Sequence, residues 1–127
     1  LVVDLGHDDA MQKLQNKLTS ASEIFYPNAQ QEKIYSADTG THLIPKMFTK
    51  PLAPIRPGAV IRPGCIEDVQ TFAKWAHENN RHYTIRGAGT WPFGGAVPLN
   101  GDLILDLNYL DFKKIDIENE RLLLGPG

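Results

Sequence analysis

The residues best suited to chemistry lie in one stretch, Arg86-Gly87-Ala88-Gly89-Thr90-Trp91-Pro92-Phe93-Gly94-Gly95-Ala96. Four glycines in these eleven residues let the backbone take positive φ values and come close to a ligand. Successive N–H groups in such a loop can converge into a nest that binds an anion, typically a phosphate. Arg86 is expected to add a fixed positive charge at the mouth. The alternative is an ordinary Gly/Pro-rich connection between two strands. Trp91 and Phe93 could stack on a ligand ring or anchor the loop in the core, and core anchoring is the reading preferred here.

Other reactive residue types do not form a constellation. His7, His42, His77 and His82 show no metal-ligand spacing, and no Cys/His cluster accompanies them. Ser20, Ser22 and Ser36 lack a nucleophile-elbow context. Asp106, Asp111, Asp116 and Glu118 are spaced for turns and strand faces, so solvation is their default role. Cys65 occupies a helix N-cap slot, where a thiol pKa can fall. With no His or Arg adjacent in sequence, it is read as a packing residue.

The elements that must position the loop follow from periodicity. His82-Tyr83-Thr84-Ile85 leads into it as a strand, and Asp102–Leu107 follows as another. Val69, Phe72, Ala73 and Ala76 recur at i, i+3, i+4 and i+7, which predicts a helix over 66–78 with one buried face. Glu67 and Asp68 suit the positive end of its dipole. Ala59-Val60-Ile61 is the preceding strand, giving a βαβ unit of parallel strands. The glycine loop then lies at a strand's C-terminal end, where α/β sheets tend to bind ligands. Upstream, Asp8 or Asp9 caps a helix reaching Leu18, with Met11, Leu14, Gln15 and Leu18 as its stripe. A loop from Ser20 leads to a short apolar stretch, Ile24-Phe25-Tyr26. Asp38-Thr39-Gly40 is a turn, and the prolines between Leu43 and Pro63 favour extended chain. Downstream, Lys114–Ile117 and Arg121–Leu124 read as a hairpin, closed by a turn at Gly125-Pro126-Gly127. Residues 1–7 are expected to be poorly fixed.

Composition bounds the function. The chain has 127 residues, 42% of them apolar, with a net charge of −2. That suits one domain with its own core and argues against a general nucleic-acid or anionic-membrane binder. The single cysteine rules out an internal disulfide and multi-cysteine zinc patterns. No membrane span and no signal sequence stands out, so a cytoplasmic setting, peripheral to a membrane at most, is expected. The chain begins at Leu1 rather than Met, which leaves room for an upstream segment.

The run Arg86–Thr90, then Gly94-Gly95-Ala96-Val97-Pro98, Gly101 and Leu103–Leu107, closely resembles the FAD-linked oxidases of the vanillyl-alcohol oxidase (PCMH-type) superfamily. The nearest branch is the glycolate oxidase and D-lactate dehydrogenase type. Tyr35-Ser36-Ala37-Asp38, Pro63 with Glu67-Asp68-Val69, Ile115-Asp116 with Glu118-Asn119, and Gly125-Pro126-Gly127 agree as well. The likeness covers about residues 30–127.

This resemblance implies an α+β fold: a βαβ unit plus further strands, the first half of a PCMH-type FAD-binding domain. It spans residues 31–127, behind an N-terminal helical arm over 1–30. Carried over by position, Arg86, Gly87, Ala88, Gly89 and Thr90, with Gly94 and Gly95, form a cradle for the FAD pyrophosphate. Trp91 stands beside it, and Pro63 and Gly127 line the cofactor less directly. Two departures stand out. Trp91-Pro92-Phe93 replaces a segment that is usually small and polar, and Pro92 has no N–H to donate. Thr90 stands where another branch carries a flavin-linking histidine, so FAD is expected to be non-covalent at this loop. The implied activity is hydride transfer from a 2-hydroxy acid to FAD, completed by a second region or a complementary chain. No catalytic residue and no metal ligand is assigned in these 127 residues. The alternative is a non-catalytic fragment or interaction module that keeps the fold without usable flavin.

Overall fold

A computed structural model describes residues 9–40, 56–98 and 101–127. The expectations for residues 1–7 and for the proline-rich chain from Leu43 to Pro54 fall outside these residues. In chain order the elements are α1 (Asp9–Gln15), β1 (Glu23–Phe25), α2 (Ala29–Tyr35), β2 (Val60–Arg62), α3 (Ile66–Glu78), β3 (Tyr83–Arg86), β4 (Leu103–Asp106), β5 (Lys113–Asp116) and β6 (Arg121–Leu124).

Four strands form one sheet in the order β1-β2-β4-β3, and β5 with β6 forms a separate hairpin. β2 and β3 are both parallel to β4, and β1 runs antiparallel on the outer side of β2. The expected strand–helix–strand unit is therefore present, but β4 inserts between its two strands. Alternation sorts the side chains by face. Ile61, Leu103 and Leu105 join Phe72, Trp75 and Ala76 of α3 and Met11 and Leu14 of α1 in the larger core. Val60 and Ile104 point the other way and meet Tyr35 of α2, with Phe25 packed alongside. Helices thus cover both faces, as parallel strands require.

α3 has the predicted bounds, and two of its residues do more than the pattern suggested. Trp75 is buried and its indole N–H donates to the Ala10 carbonyl at 3.1 Å. Asp68 lies in the first turn as expected, and it also bridges to distant chain. Its carboxylate is buried and accepts from the Thr19 N–H (2.9 Å), the Thr19 hydroxyl (2.6 Å) and the Ser22 hydroxyl (2.6 Å). These bonds tie α3 to the chain between α1 and β1. Gly64 permits the crossing, since a Cβ there would sit 2.5 Å from that of Ala21. Cys65 is the N-cap but makes no side-chain capping bond. Its thiol donates to Asp68 at 3.2 Å. A backbone hydrogen bond with Asp68 favours the thiolate, yet the bond to the carboxylate and burial outweigh it and hold the thiol above its usual value.

The described chain ahead of α2 shares this core: Met11, Leu14 and Leu18 are buried in it and β1 is a sheet strand. Gln15, placed in the stripe with them, is exposed. α2 is a helix where the sequence reading had none. Its start carries a capping box, with Asn28 accepting from the Gln30 and Gln31 amides and Gln31 reaching back to the Asn28 N–H.

Candidate functional site

β3 delivers the chain into the glycine loop at the C-terminal end of the parallel sheet, beside the end of β4. The Leu107 N–H donates to the Arg86 carbonyl at 2.8 Å, which carries the pairing one step past the strands. Two anchors then fix the loop. Asn108 donates from its side chain to the Gly87 carbonyl at 3.0 Å. The Thr39 N–H donates to the Gly89 carbonyl at 3.1 Å. In a trans peptide the next N–H points away from the carbonyl, so these anchors turn the Ala88 and Thr90 amides to the loop's other side. Among the described residues, the backbone N–H groups of Ala88, Gly89 and Thr90 have no acceptor.

A cavity of about 450 Å³ lies against this loop, lined by Ile85, Gly87–Trp91, Gly95, Ala96, Pro126 and Gly127. The terminal turn reaches it because Gly125 and Gly127 donate to the carbonyls of Phe112 (2.7 Å) and Leu110 (3.2 Å). Close approach there demands glycine: a Cβ on Gly127 would lie 2.5 Å from the Leu107 carbonyl oxygen. Of the residues singled out in sequence, Gly87, Ala88, Gly89, Thr90, Trp91, Gly95 and Gly127 come together in this one cleft.

Three do not. Arg86 is buried beneath the loop rather than standing at its mouth. Its guanidinium donates to the carbonyls of Ala37 (2.8 Å) and Ala96 (3.2 Å), tying both flanks of the loop together. Gly89 makes room for it, at φ +70° and with any Cβ only 2.3 Å from the guanidinium. Gly94 donates its N–H to Asp38 at 2.6 Å, so this amide is engaged away from the cleft. Pro63 is fully buried just beyond β2 and is not among the cleft-lining residues.

Core anchoring by Trp91 and Phe93 is overturned. They are 61% and 81% exposed and pack edge-on against each other, 5.5 Å between ring centroids. The loop projects from the sheet, and Arg86 already ties its base, so no core is within reach. Pro92 is not among the cleft-lining residues. Its carbonyl oxygen packs where a Cβ of Gly40 would stand.

Sequence reading missed the loop's supports. Asp38 entered only as a turn residue and as part of the family-like segment Tyr35–Asp38, Thr39 only as a turn residue, and Asn108 not at all. Asp106, assigned to solvent, is buried and accepts from the Tyr35 hydroxyl (2.6 Å), Arg62 Nε (3.0 Å) and the Asn108 N–H (3.1 Å). It therefore orients the same Asn108 that holds Gly87. Burial disfavours its charge, but those hydrogen bonds win and keep its pKa below the ordinary carboxylate value. The one detectable signal was the polar spacing Asp106-x-Asn108, a typical Asx arrangement.

The FAD-binding domain family matches residues 57–127, more than half of the chain. The chain belongs to this family. FAD is the cofactor of this FAD-binding domain. D-lactate dehydrogenase of Archaeoglobus fulgidus is 31% identical over 68 residues, covering 54% of this chain and 15% of the relative. D-2-hydroxyglutarate dehydrogenase of Xanthomonas citri pv. viticola is 38% identical over 64 residues, covering 47% and 14%. The chain thus spans about one-seventh of these curated relatives. Solved structures share the fold. 6-Hydroxy-D-nicotine oxidase of Arthrobacter nicotinovorans covers 100% of this chain with a TM-score of 0.63 at 23% identity, over 23% of its own chain. The Physcomitrella patens BBE-like 1 protein covers 94%, with a TM-score of 0.67 at 14% identity, over 23% of its own chain. The α+β class with a mixed sheet agrees with these neighbours. No helix among the described residues is long and apolar enough to cross a membrane.

Proposed function

We propose that this chain is the pyrophosphate-holding part of a flavoenzyme that oxidises a 2-hydroxy acid. The observation that carries the cradle assignment is the row of amides at Ala88, Gly89 and Thr90, without acceptors among the described residues and set beside a glycine-walled cleft. Preorganised N–H dipoles of this kind stabilise an anion without reorganising when it arrives. Asn108 and Thr39 hold the amides in place, and Gly87, Gly95 and Gly127 allow close approach. Arg86 contributes positive charge from beneath the loop, and Gly94 and Pro63 act as supports behind it. Thr90 offers a hydroxyl rather than an imidazole, so the cofactor is held non-covalently here. Bound FAD supplies the hydride-accepting ring.

The two curated relatives, named for D-lactate and D-2-hydroxyglutarate, support a 2-hydroxy acid substrate. No acid, base or substrate clamp is assigned in this chain, so those groups come from a complementary region or chain. The exposed apolar side chains of the β5–β6 hairpin support such a partner. The lone thiol and the lack of a membrane-length helix among the described residues are compatible with a cytoplasmic setting. The competing reading, an interaction module without usable flavin, draws on the Trp91-Pro92-Phe93 replacement and on the short span of the relatives covered; against it, Pro92, which lacks an N–H, does not line the cleft.

Calorimetric titration with FAD is expected to give one-site binding and a yellow complex. No heat and no flavin absorption would sink the FAD reading and leave the interaction module. With a complementary chain added, D-lactate or D-2-hydroxyglutarate should bleach the visible flavin band. A retained band with both acids, while FAD stays bound, removes the 2-hydroxy acid assignment alone.

A further inference from the structure

We propose that Trp91 is an aromatic wall on which a planar ring of the bound cofactor stacks. This rests on the FAD reading above and goes beyond the cradle, which concerns only the phosphates. Trp91 lines the same cleft as the amides of Ala88, Gly89 and Thr90. The cavity therefore presents an anion-binding strip and a large aromatic face side by side. A dinucleotide offers that same pairing, a charged pyrophosphate flanked by flat heteroaromatic rings. Stacking on indole is tolerant of ring identity, because every such ring has a π-face.

The indole is held, not merely displayed. Phe93 meets it edge-on with the ring planes at 70°. Gly95 lies against it, since a Cβ there would be 3.2 Å from Trp91 Cδ1. The chain behind is pinned three ways. Gly94 donates to Asp38, Val97 donates to the Gly94 carbonyl at 3.1 Å, and Arg86 donates to the Ala96 carbonyl. An exposed tryptophan fixed in this way keeps its ring oriented before the ligand arrives, which reduces the ordering cost of binding. Phe93 does not line the cleft and acts as the prop.

The two tryptophans differ enough to be read apart. Trp75 is buried with its N–H bonded, whereas Trp91 is open to solvent. Acrylamide should quench Trp91 emission in the free chain, and bound FAD should protect it. Trp91→Leu is expected to leave the melting temperature unchanged and weaken FAD binding about tenfold, with Trp91→Phe restoring most of the affinity. Parallel titrations with FMN and with ADP identify the stacked ring by which of them protects Trp91. If FAD binds Trp91→Leu as tightly as the parent chain, and Trp91 stays open to acrylamide in the complex, the wall is wrong and the cradle stands. If FAD does not bind the parent chain at all, both fall together.

Discussion

α3 and the β5–β6 hairpin are both amphipathic, and among the described residues only α3 has its apolar face covered. Phe72 and Ala76 of α3 are fully buried against the sheet. In the hairpin, Ile115 stands opposite Leu122 and Lys113 opposite Leu124 on one face, with Lys114 opposite Leu123 and Asp116 opposite Arg121 on the other. Apart from Lys113 that first face is apolar, yet Ile115, Leu122 and Leu124 are all largely exposed. A two-stranded hairpin is marginal by itself in water. An apolar pattern therefore states that a face is built for burial, but not that the same chain supplies the cover.

The sharpest test of this contrast is Phe72→Ala, expected to cost about 3–5 kcal/mol in urea unfolding by leaving a cavity between α3 and the sheet. A loss near zero would mean that α3 is no better covered than the hairpin. Next in size is Asp68→Ala, expected to cost about 1–3 kcal/mol because the Thr19 and Ser22 donors lose their acceptor. Asp68 also predicts the acid limb. Burial alone would raise its pKa, but hydrogen bonds from Ser22, Thr19 and Cys65 overrule this and hold it far below the ordinary carboxylate value. A depressed folded pKa gives stability that is complete above about pH 4, the unfolded carboxylate value, and is lost as pH falls through the folded one. Asp68→Asn should flatten that decline, and an unchanged acid limb would assign it to other carboxylates.

Tyr35→Phe is expected to cost about 1 kcal/mol, since it removes one hydrogen bond to Asp106 and one from Arg62 Nη2 (2.7 Å). Burial, with the bond to Asp106 and against the pull of Arg62, pushes Tyr35 up to about 12. The raised value places its stabilising effect below about pH 10 and its loss between there and about 12. Spectrophotometric titration of the phenol checks this directly. The smallest effect belongs to the hairpin. Leu122→Asp or Leu124→Asp should change the stability of this chain alone by no more than about 0.5 kcal/mol. A cost like that of Phe72→Ala would show the hairpin covered after all and end the comparison.

What was readable in the sequence was local. The i, i+3, i+4, i+7 spacing of Val69, Phe72, Ala73 and Ala76 located α3 residue for residue. β2, β3 and β5 each lie one residue later or earlier than the reading placed them, a shift that leaves the alternation between sheet faces intact. α2 was missed although its Asn28-x-x-Gln31 box is a sequence signal, because the neighbouring apolar residues did not repeat at a helical period.

Around the glycine loop the division is the same. Backbone freedom at the glycines and the missing N–H of Pro92 are properties of the residues themselves, so the sequence alone marked this turn as a candidate for anion binding. Which amides face the cleft depended on partners far away in the chain: Thr39 for Gly89, Asp38 for Gly94 and Asn108 for Gly87. The burial of Arg86 and Asp68 and the insertion of β4 between β2 and β3 are likewise long-range outcomes. A charged side chain goes inside only where distant carbonyls and hydroxyls meet it, and no spacing along the chain records that meeting. Trp91 shows the rule in reverse: its bulk suggested a core, and only the fold revealed that none was within reach.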